Sequence, residues 1–376
     1  MSTLKVNTIR HTGASSDAVT LATDGTCTAK ITNNLSNRNL IINGAVAISQ
    51  RNSTSNTTIG SGATYGPDRI AARTQTGSGH TLAQTEDGPA GFKYSAKVTI
   101  GTGGSPSAAN KNYLYQPIEG NNVAHLGSGT SSAETVTLSF WVKSSLTGNF
   151  GAAITSGAAD HSYTFPYTIS SANTWEKKTK TIALPTSGGN WATNNSAGLT
   201  VFWDLGSGTD FEGTANQWNS AFDVRASSDV KLMATNSATL YVTGIQLEVG
   251  DVATDFEHRS YGDELLRCQR YYNRYQDGAD KYLGSTTFQY NSSICIATFR
   301  FSPEMRTTPT VDAANGTNYF INYANNGSGN FDSWSSINGM TSRGGCVNAV
   351  VSGTSGHAGG AYLSNSSAYI AFNAEL

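Results

Sequence analysis

Alternating apolar and polar positions dominate residues 39–258. In VTLSFWVKSS (136–145), Val136, Leu138, Phe140 and Val142 share one face, the period of two expected of a half-buried β-strand. GLTVFWDL (198–205) and ATLYVTGIQLEV (238–249) repeat the alternation, and in the run 174–184 Trp175 precedes alternating polar residues. Strand tryptophans usually fill cores, so Trp141 and Trp175 are assigned to the interior. No long amphipathic helix interrupts these strands. Many antiparallel strands in one region of about 220 residues predict a two-sheet sandwich of jelly-roll type.

The flanks read differently. Residues 1–38 carry short alternating runs, with Asp24-Gly25 as a hairpin turn between strand-like segments. Val19, Leu21, Ile31 and Leu35 are too few to make a core alone, so this leader either frays or leans on other subunits or a larger particle. Beyond the sandwich, Tyr261, Leu265, Cys268, Tyr272 and Tyr275 recur at alternating spacings of four and three. That stripe predicts a short helical neck over residues 259–276. A helix this short is marginal in water. It packs either on its own chain or against copies of itself around a symmetry axis. Residues 277–376 form a smaller unit, with strands at CIATFRF, NYFINYA and AYIAFNAEL, and with Pro303 and Pro309 confining the segment between them to an edge.

Composition supports an all-β, modular chain. Only 13% of the 376 residues are charged, while 40 Gly, 17 Tyr, 14 Phe and 6 Trp accompany abundant Ser, Thr and Asn. Tight turns and large buried aromatics follow from this mixture. A net charge of −2, with no basic cluster denser than Lys177, Lys178 and Lys180, argues against a nucleic-acid partner. Those lysines are placed on the solvent face of one strand. No apolar run is long enough for a membrane span. The N-terminus lacks the apolar core of a secretion signal, which places synthesis in a cytoplasm. Cys27, Cys268, Cys295 and Cys346 are too dispersed for a zinc or redox motif and read as buried free thiols.

Candidate chemistry is sparse. Asp204, Asp210 and Glu212 cluster within DLGSGTDFE, and paired carboxylates are what glycoside hydrolysis needs. Their closeness is local in sequence, in a Gly-bounded loop, and no catalytic residue is assigned. Glu248, Asp251 and Asp255 are weak calcium candidates, set against solvated turn acids with Asp263 capping the helix; no cofactor or metal is expected. His258, between Glu257 and Arg259, is read as a capping or ion-pair residue. Exposed aromatics offer the better site, because sugars dock their apolar faces on rings while amides and hydroxyls fix orientation. Trp203, Phe211 and Trp218 flank one loop. Tyr319, Tyr323 and Trp334, with Phe320 and Phe331, surround the sequence NNGSGN.

The segments NRNLIINGAVAISQR, VTLSFWVKSSLTGNFG, ISSANTWEKKTKTIALP, FWDLGSGTDF and ATLYVTGIQLEVGDVATDFEHRSYGDELLRCQRYY resemble phage tail-fibre proteins, particularly those of marine podoviruses and cyanophages. The resemblance covers residues 35–275. PEMRTTPTV looks like the start of the distal domain in such fibres, and LKVNTI…DAVTLATDG resembles their attachment leader. The resemblance implies a homotrimer in the virion tail, a jelly roll similar to carbohydrate-binding modules, and adsorption to a bacterial surface glycan. The leader would then contact tail or adaptor proteins and residues 277–376 the host. An extended repetitive shaft is missing, which leaves a short fibre, a head fibre or an accessory tail protein open. A virion component that contacts another viral protein, and a tailspike depolymerase, are the competing readings.

Overall fold

The computed structural model describes residues 5–25, 27–29, 37–51, 54–226, 229–324, 327–336 and 339–376. It is an all-β chain of antiparallel sheets. Six strands form one layer in the order Glu176–Ala183, Thr135–Ser144, Thr239–Val249, Ser95–Thr99, Thr81–Thr85 and Thr57–Thr58. Seven form the facing layer, in the order Gln217–Asn219, Ser162–Ile169, Gly148–Ser156, Ala197–Asp204, Tyr113–Glu119, Ala71–Arg73 and Thr64–Tyr65. Val136, Leu138, Phe140 and Val142 all point between the sheets, as their alternation requires, and meet Val201, Trp203, Leu240 and Leu247 there. Phe140 and Trp203 pack edge to face at 5.6 Å.

That alternation also corrects the placement of four tryptophans. Trp203 shares the inward face with Leu199 and Val201, so it is fully buried. Trp334 is 5% exposed, packed on Phe320 and Phe331. Neither can present a ring to a ligand. Trp141 and Trp175, assigned to the core as strand tryptophans, instead stand half-buried outside it. Trp141 lies between inward-facing Phe140 and Val142, and parity decides its face. The lysine trio divides in the same way, with Lys177 exposed and Lys178 and Lys180 half-buried.

Residues 39–50 contain no strand, yet Ile41, Val46 and Ile48 are buried. Backbone polarity is satisfied by side chains here. Asn43 donates to the carbonyls of Ile48 and Asp68 and accepts from the Ile48 amide, all within 2.9 Å. Its own amide donates to Glu264. At Gly44 a Cβ would lie 2.1 Å from the Ile245 carbonyl oxygen, so no other residue fits against that strand.

The helix is shorter than its sequence pattern. It runs Tyr261–Gln269, started by a Ser260 cap that accepts from the Asp263 amide at 3.2 Å and donates to the Asp263 carboxylate at 2.7 Å. Tyr272 and Tyr275 belong to the strand Tyr272–Asp277, paired with Tyr369–Asn373. The proposed neck stripe is therefore divided between two elements. Cys268 is buried with Ile42, Ile48 and Tyr271 of its own chain, and half-buried Leu265 packs beside them. Tyr261 alone of the five stands mostly in solvent, at 65% exposure. Most of the stripe thus packs on its own chain, Cys268 in a core and Tyr272 in a strand ladder.

Strand Tyr272–Asp277 opens the C-terminal unit. A three-stranded sheet holds it beside Tyr369–Asn373 and Thr310–Ala313. A seven-stranded sheet runs Gly327–Phe331, Phe320–Ala324, Ala358–Leu363, Lys281–Gln289, Ile294–Arg300, Gly344–Val350 and Ser335–Ser336. Phe299, Phe301, Phe320, Phe331 and Phe372 fill its core. The leader is a three-stranded sheet, Thr8–Ile9, Val19–Leu21 and Cys27–Ala29, with the expected hairpin turn at Gly25. None of its residues with described burial is buried, and the Cys27 thiol, expected in an interior, is exposed because this sheet has no core to hold it; Leu4, Ile31 and Leu35 lie outside the described residues.

Charged groups join the C-terminal unit to the sandwich. Arg69, 1% exposed, pairs with Glu375, which also meets Arg51 at 3.2 Å. The two guanidinium groups lie over the rings of Tyr271 and Tyr272 at 3.7 and 3.6 Å. Arg270 grips Glu119 with two hydrogen bonds of 2.6 and 2.9 Å, and the Tyr271 hydroxyl donates to the same carboxylate at 2.7 Å. Glu375→Ala leaves Arg69 buried and unpaired, and lowers unfolding stability by about 3–5 kcal/mol. The double variant Arg69→Met, Glu375→Leu recovers most of that loss. Urea denaturation of the three proteins measures both effects, and a Glu375→Ala protein as stable as the parent would contradict them.

Candidate functional site

Exposed aromatics gather on the outer face of the C-terminal seven-stranded sheet. Tyr282 opposes Tyr362 across one ladder, and Tyr362 opposes Ile321 across the next. Tyr323, two residues beyond Ile321, therefore shares their face. The ring centroids are 5.1 Å apart for Tyr282–Tyr362, 5.9 Å for Tyr323–Tyr362 and 6.1 Å for Tyr282–Tyr323. Tyr282 is 58% and Tyr323 39% exposed. The Tyr362 hydroxyl donates to Asp280 at 2.6 Å, and this bond to the carboxylate pushes the phenol up to about 12. Tyr362 is thus a neutral, oriented ring at any physiological pH. Phe288, 39% exposed, extends the same face.

Of the aromatics singled out by sequence, Tyr323 joins this platform. Tyr319 is half-buried against the unit's core, and Asn325 and Asn326 of the adjoining loop lie outside the described residues. Trp218 is half-buried, packed at 5.5 Å on Tyr163 and 5.6 Å on Trp191, with its indole nitrogen donating to the Ala183 carbonyl at 2.8 Å. Phe211 is half-buried beside Phe222, with the Lys111 ammonium 5.2 Å from each ring. These two do not share a platform with buried Trp203. Tyr282 and Tyr362 were missed. Both neighbour inward-facing leucines, Leu283 and Leu363, and that alternation was the available signal.

A cavity of about 550 Å³ lies where the sandwich, the helix and the C-terminal unit meet. Gln50, Arg51, Tyr261, Leu265, Arg274 and Tyr275 are among its lining. Three residues expected in an oligomer seam thus border a cavity of their own chain.

The carboxylate cluster is structural in its geometry. Asp204 is 1% exposed and accepts from the amides of Gly206 and Ser207 at 2.9 and 2.8 Å. Arg225, fully buried, reaches Glu212 at 2.5 Å and approaches Asp204 at 3.6 Å. Asp210 is exposed. Substrate has no access to Asp204. Glu248 is buried and accepts from Thr254 and Gln246, with Arg38 at 3.7 Å, while Asp251 and Asp255 are exposed. Among the described residues, no three His, Cys, Asp or Glu side chains are placed to hold a metal ion. His258 packs on Phe92 and Phe256 at 5.3 and 4.8 Å rather than capping the helix.

No family model and no curated protein matches the chain. Several solved structures resemble part of the chain at low similarity. The enzymatically active domain of bacteriophage CBA120 tailspike protein 4 is 13% identical, with a TM-score of 0.31 over 57% of this chain and 22% of that one. A CBM4 structure is 17% identical, with a TM-score of 0.29 over 55% of this chain and 98% of that one. The CBM22-2 xylan-binding domain from Paenibacillus barcinonensis is 15% identical, with a TM-score of 0.27 over 48% and 92%. Likenesses this distant carry no functional argument. Among the described residues, no helix is long and apolar enough to cross a membrane.

Burial raises Asp204 from 3.8 to about 6, as it does Asp68. Both folded-state values lie above the unfolded one. Their contribution to stability is therefore whole below about pH 4 and is lost as pH rises through about 6. Asp204→Asn flattens that part of the stability–pH profile. Urea titrations from pH 4 to pH 7 test this, and an unchanged slope would place the titrating group elsewhere.

Proposed function

We propose that this chain is a virion fibre protein, carried on a phage tail, that attaches the particle to bacterial surface glycans through its C-terminal unit. The Tyr282–Tyr323–Tyr362 platform, with Tyr282 and Tyr323 exposed and Tyr362 half-buried, carries the reading. Three rings within about 6 Å of one another match the span of one or two sugar rings, and their hydroxyls, with Asp280, supply polar contacts at the edge. A single shallow site of this kind binds weakly, and linked copies multiply its effect.

We place self-association, as a homotrimer, in the leader. A three-stranded sheet with no buried residue among those whose burial is described, exposing Val6, Ile9 and Leu21 at 38, 55 and 40%, has too little interior to be stable unaided. Copies of itself or a tail adaptor would cover those side chains. The body and tip are proposed to be non-enzymatic, since the carboxylates Asp204 and Glu212 are committed to Arg225.

Tyr323→Ala combined with Tyr362→Ala is expected to weaken glycan binding by about tenfold, the effect of removing two ring contacts worth roughly 1 kcal/mol or slightly less each. A bacterial glycan array followed by calorimetry measures it, with circular dichroism as the control for folding. A silent array, with the protein retained on purified tails, would favour a structural component that contacts another viral protein. Release of oligosaccharides from host polysaccharide would make it a depolymerase. Deleting residues 1–38 is expected to give monomers with intact sandwiches. Sedimentation showing an unchanged trimer would move the interface out of the leader.

A further inference from the structure

The outer face of the six-stranded sheet carries a second aromatic surface, and its chemistry differs from that of the distal tyrosines. Lys143 opposes Tyr241 across one ladder, and Tyr241 opposes Lys97 across the next. Trp175 immediately precedes the strand Glu176–Ala183, whose Glu176 opposes Val142, which brings Trp175 level with Lys143. Four neighbouring strands thus present the row Lys97, Tyr241, Lys143, Trp175, all half-buried. The two rings are 6.1 Å apart at 73°. The Lys143 ammonium lies 4.3 Å from the Tyr241 centroid and 5.1 Å from that of Trp175, while that of Lys97 is 5.4 Å from Tyr241.

This row is fixed in place. Asp87 accepts from Lys143 at 2.5 Å and from the Trp175 indole at 3.3 Å, which holds ring and ammonium together. On the same sheet face, Gly244 has φ +58, and a Cβ there would stand 2.8 Å from Phe92 and 2.9 Å from Trp141. Both rings therefore lie directly on the backbone. Phe92 continues into a cavity of about 230 Å³, lined also by Tyr94, Phe256, His258 and Arg259. Charge on the face is unbalanced. Asp87 answers Lys143, and Glu86 answers Lys93 at 3.3 Å, whereas Lys97 and exposed Lys177 have no carboxylate in ion-pair range among the described residues.

We infer that this face binds an acidic saccharide, a uronic-acid-containing chain, with a pyranose ring against Tyr241 and Trp175 and its carboxylate met by Lys97. Rings without cations would suit neutral sugars, and lysines without rings any anion; the alternation selects a ligand with both an apolar ring face and a negative charge. The site is separate from the distal platform and stands independently of it.

Binding of the full chain to polygalacturonate, alginate and hyaluronate, with dextran as the neutral comparison, tests the inference by biolayer interferometry. The three uronates are expected to bind and dextran not, with affinity falling about tenfold or more as salt is raised to roughly 0.5 M. Lys97→Gln lowers uronate affinity about tenfold, the scale of one lost charge-assisted hydrogen bond; Lys97→Arg retains most of it, and Tyr241→Ala reduces it without changing the circular dichroism. The distal variant Tyr323→Ala, Tyr362→Ala leaves uronate binding intact, so failure of one site is distinguishable from failure of the other. Equal binding of dextran, no binding of any uronate, or insensitivity to both Lys97→Gln and Tyr241→Ala would overturn the assignment.

Discussion

A buried charge must find its opposite, and the junction of this protein is built on that constraint. Arg69 is enclosed by the sandwich, and its counter-ion is Glu375, more than three hundred residues away in sequence and carried by the segment that follows the last strand of the C-terminal unit. Alone, either group would be strongly destabilising where it sits. Together, with Tyr271 and Tyr272 beneath the two guanidinium groups and Glu119 gripped by Arg270, they fix how the two β-units meet. The short helix is placed by the same network, through Glu264 to the Asn43 amide and Arg259 to the backbone at Ile41.

Within each unit the governing rule is simpler. Strand parity decides which rings disappear and which remain available. Phe140, Trp203 and Phe372 fall on inward positions and make cores; Trp141, Tyr241, Tyr282 and Tyr362 fall on outward ones and make surfaces.

Much of the sandwich was legible because alternation is a local signal. The strands Thr135–Ser144 and Thr239–Val249 coincide with the runs read from sequence to within one or two residues. The helix end was not legible. Spacings of four and three through Tyr272 and Tyr275 satisfy a heptad, but those residues pair with Tyr369–Asn373, and a contact between segments a hundred residues apart leaves no local trace. Tryptophans were sorted by strand or loop position rather than by parity, which exchanged Trp203 and Trp334 with Trp141 and Trp175. The tyrosine platform was partly seen through Tyr323, whereas for Tyr282 and Tyr362 the alternation with inward-facing Leu283 and Leu363 was there and went unused. The Asp24-Gly25 hairpin was read directly, since its turn chemistry is contained in two residues.

Tyr272–Asp277 and Tyr369–Asn373, the entry and exit strands of the C-terminal unit, lie side by side in one sheet. Its chain therefore comes in and goes out at the same end, next to the sandwich. The unit is thus held to the sandwich twice, covalently where Tyr272 follows the helix and through the Glu375 ion pairs beyond Asn373. Two separated points of attachment resist rotation of one unit about the other better than a single covalent link would.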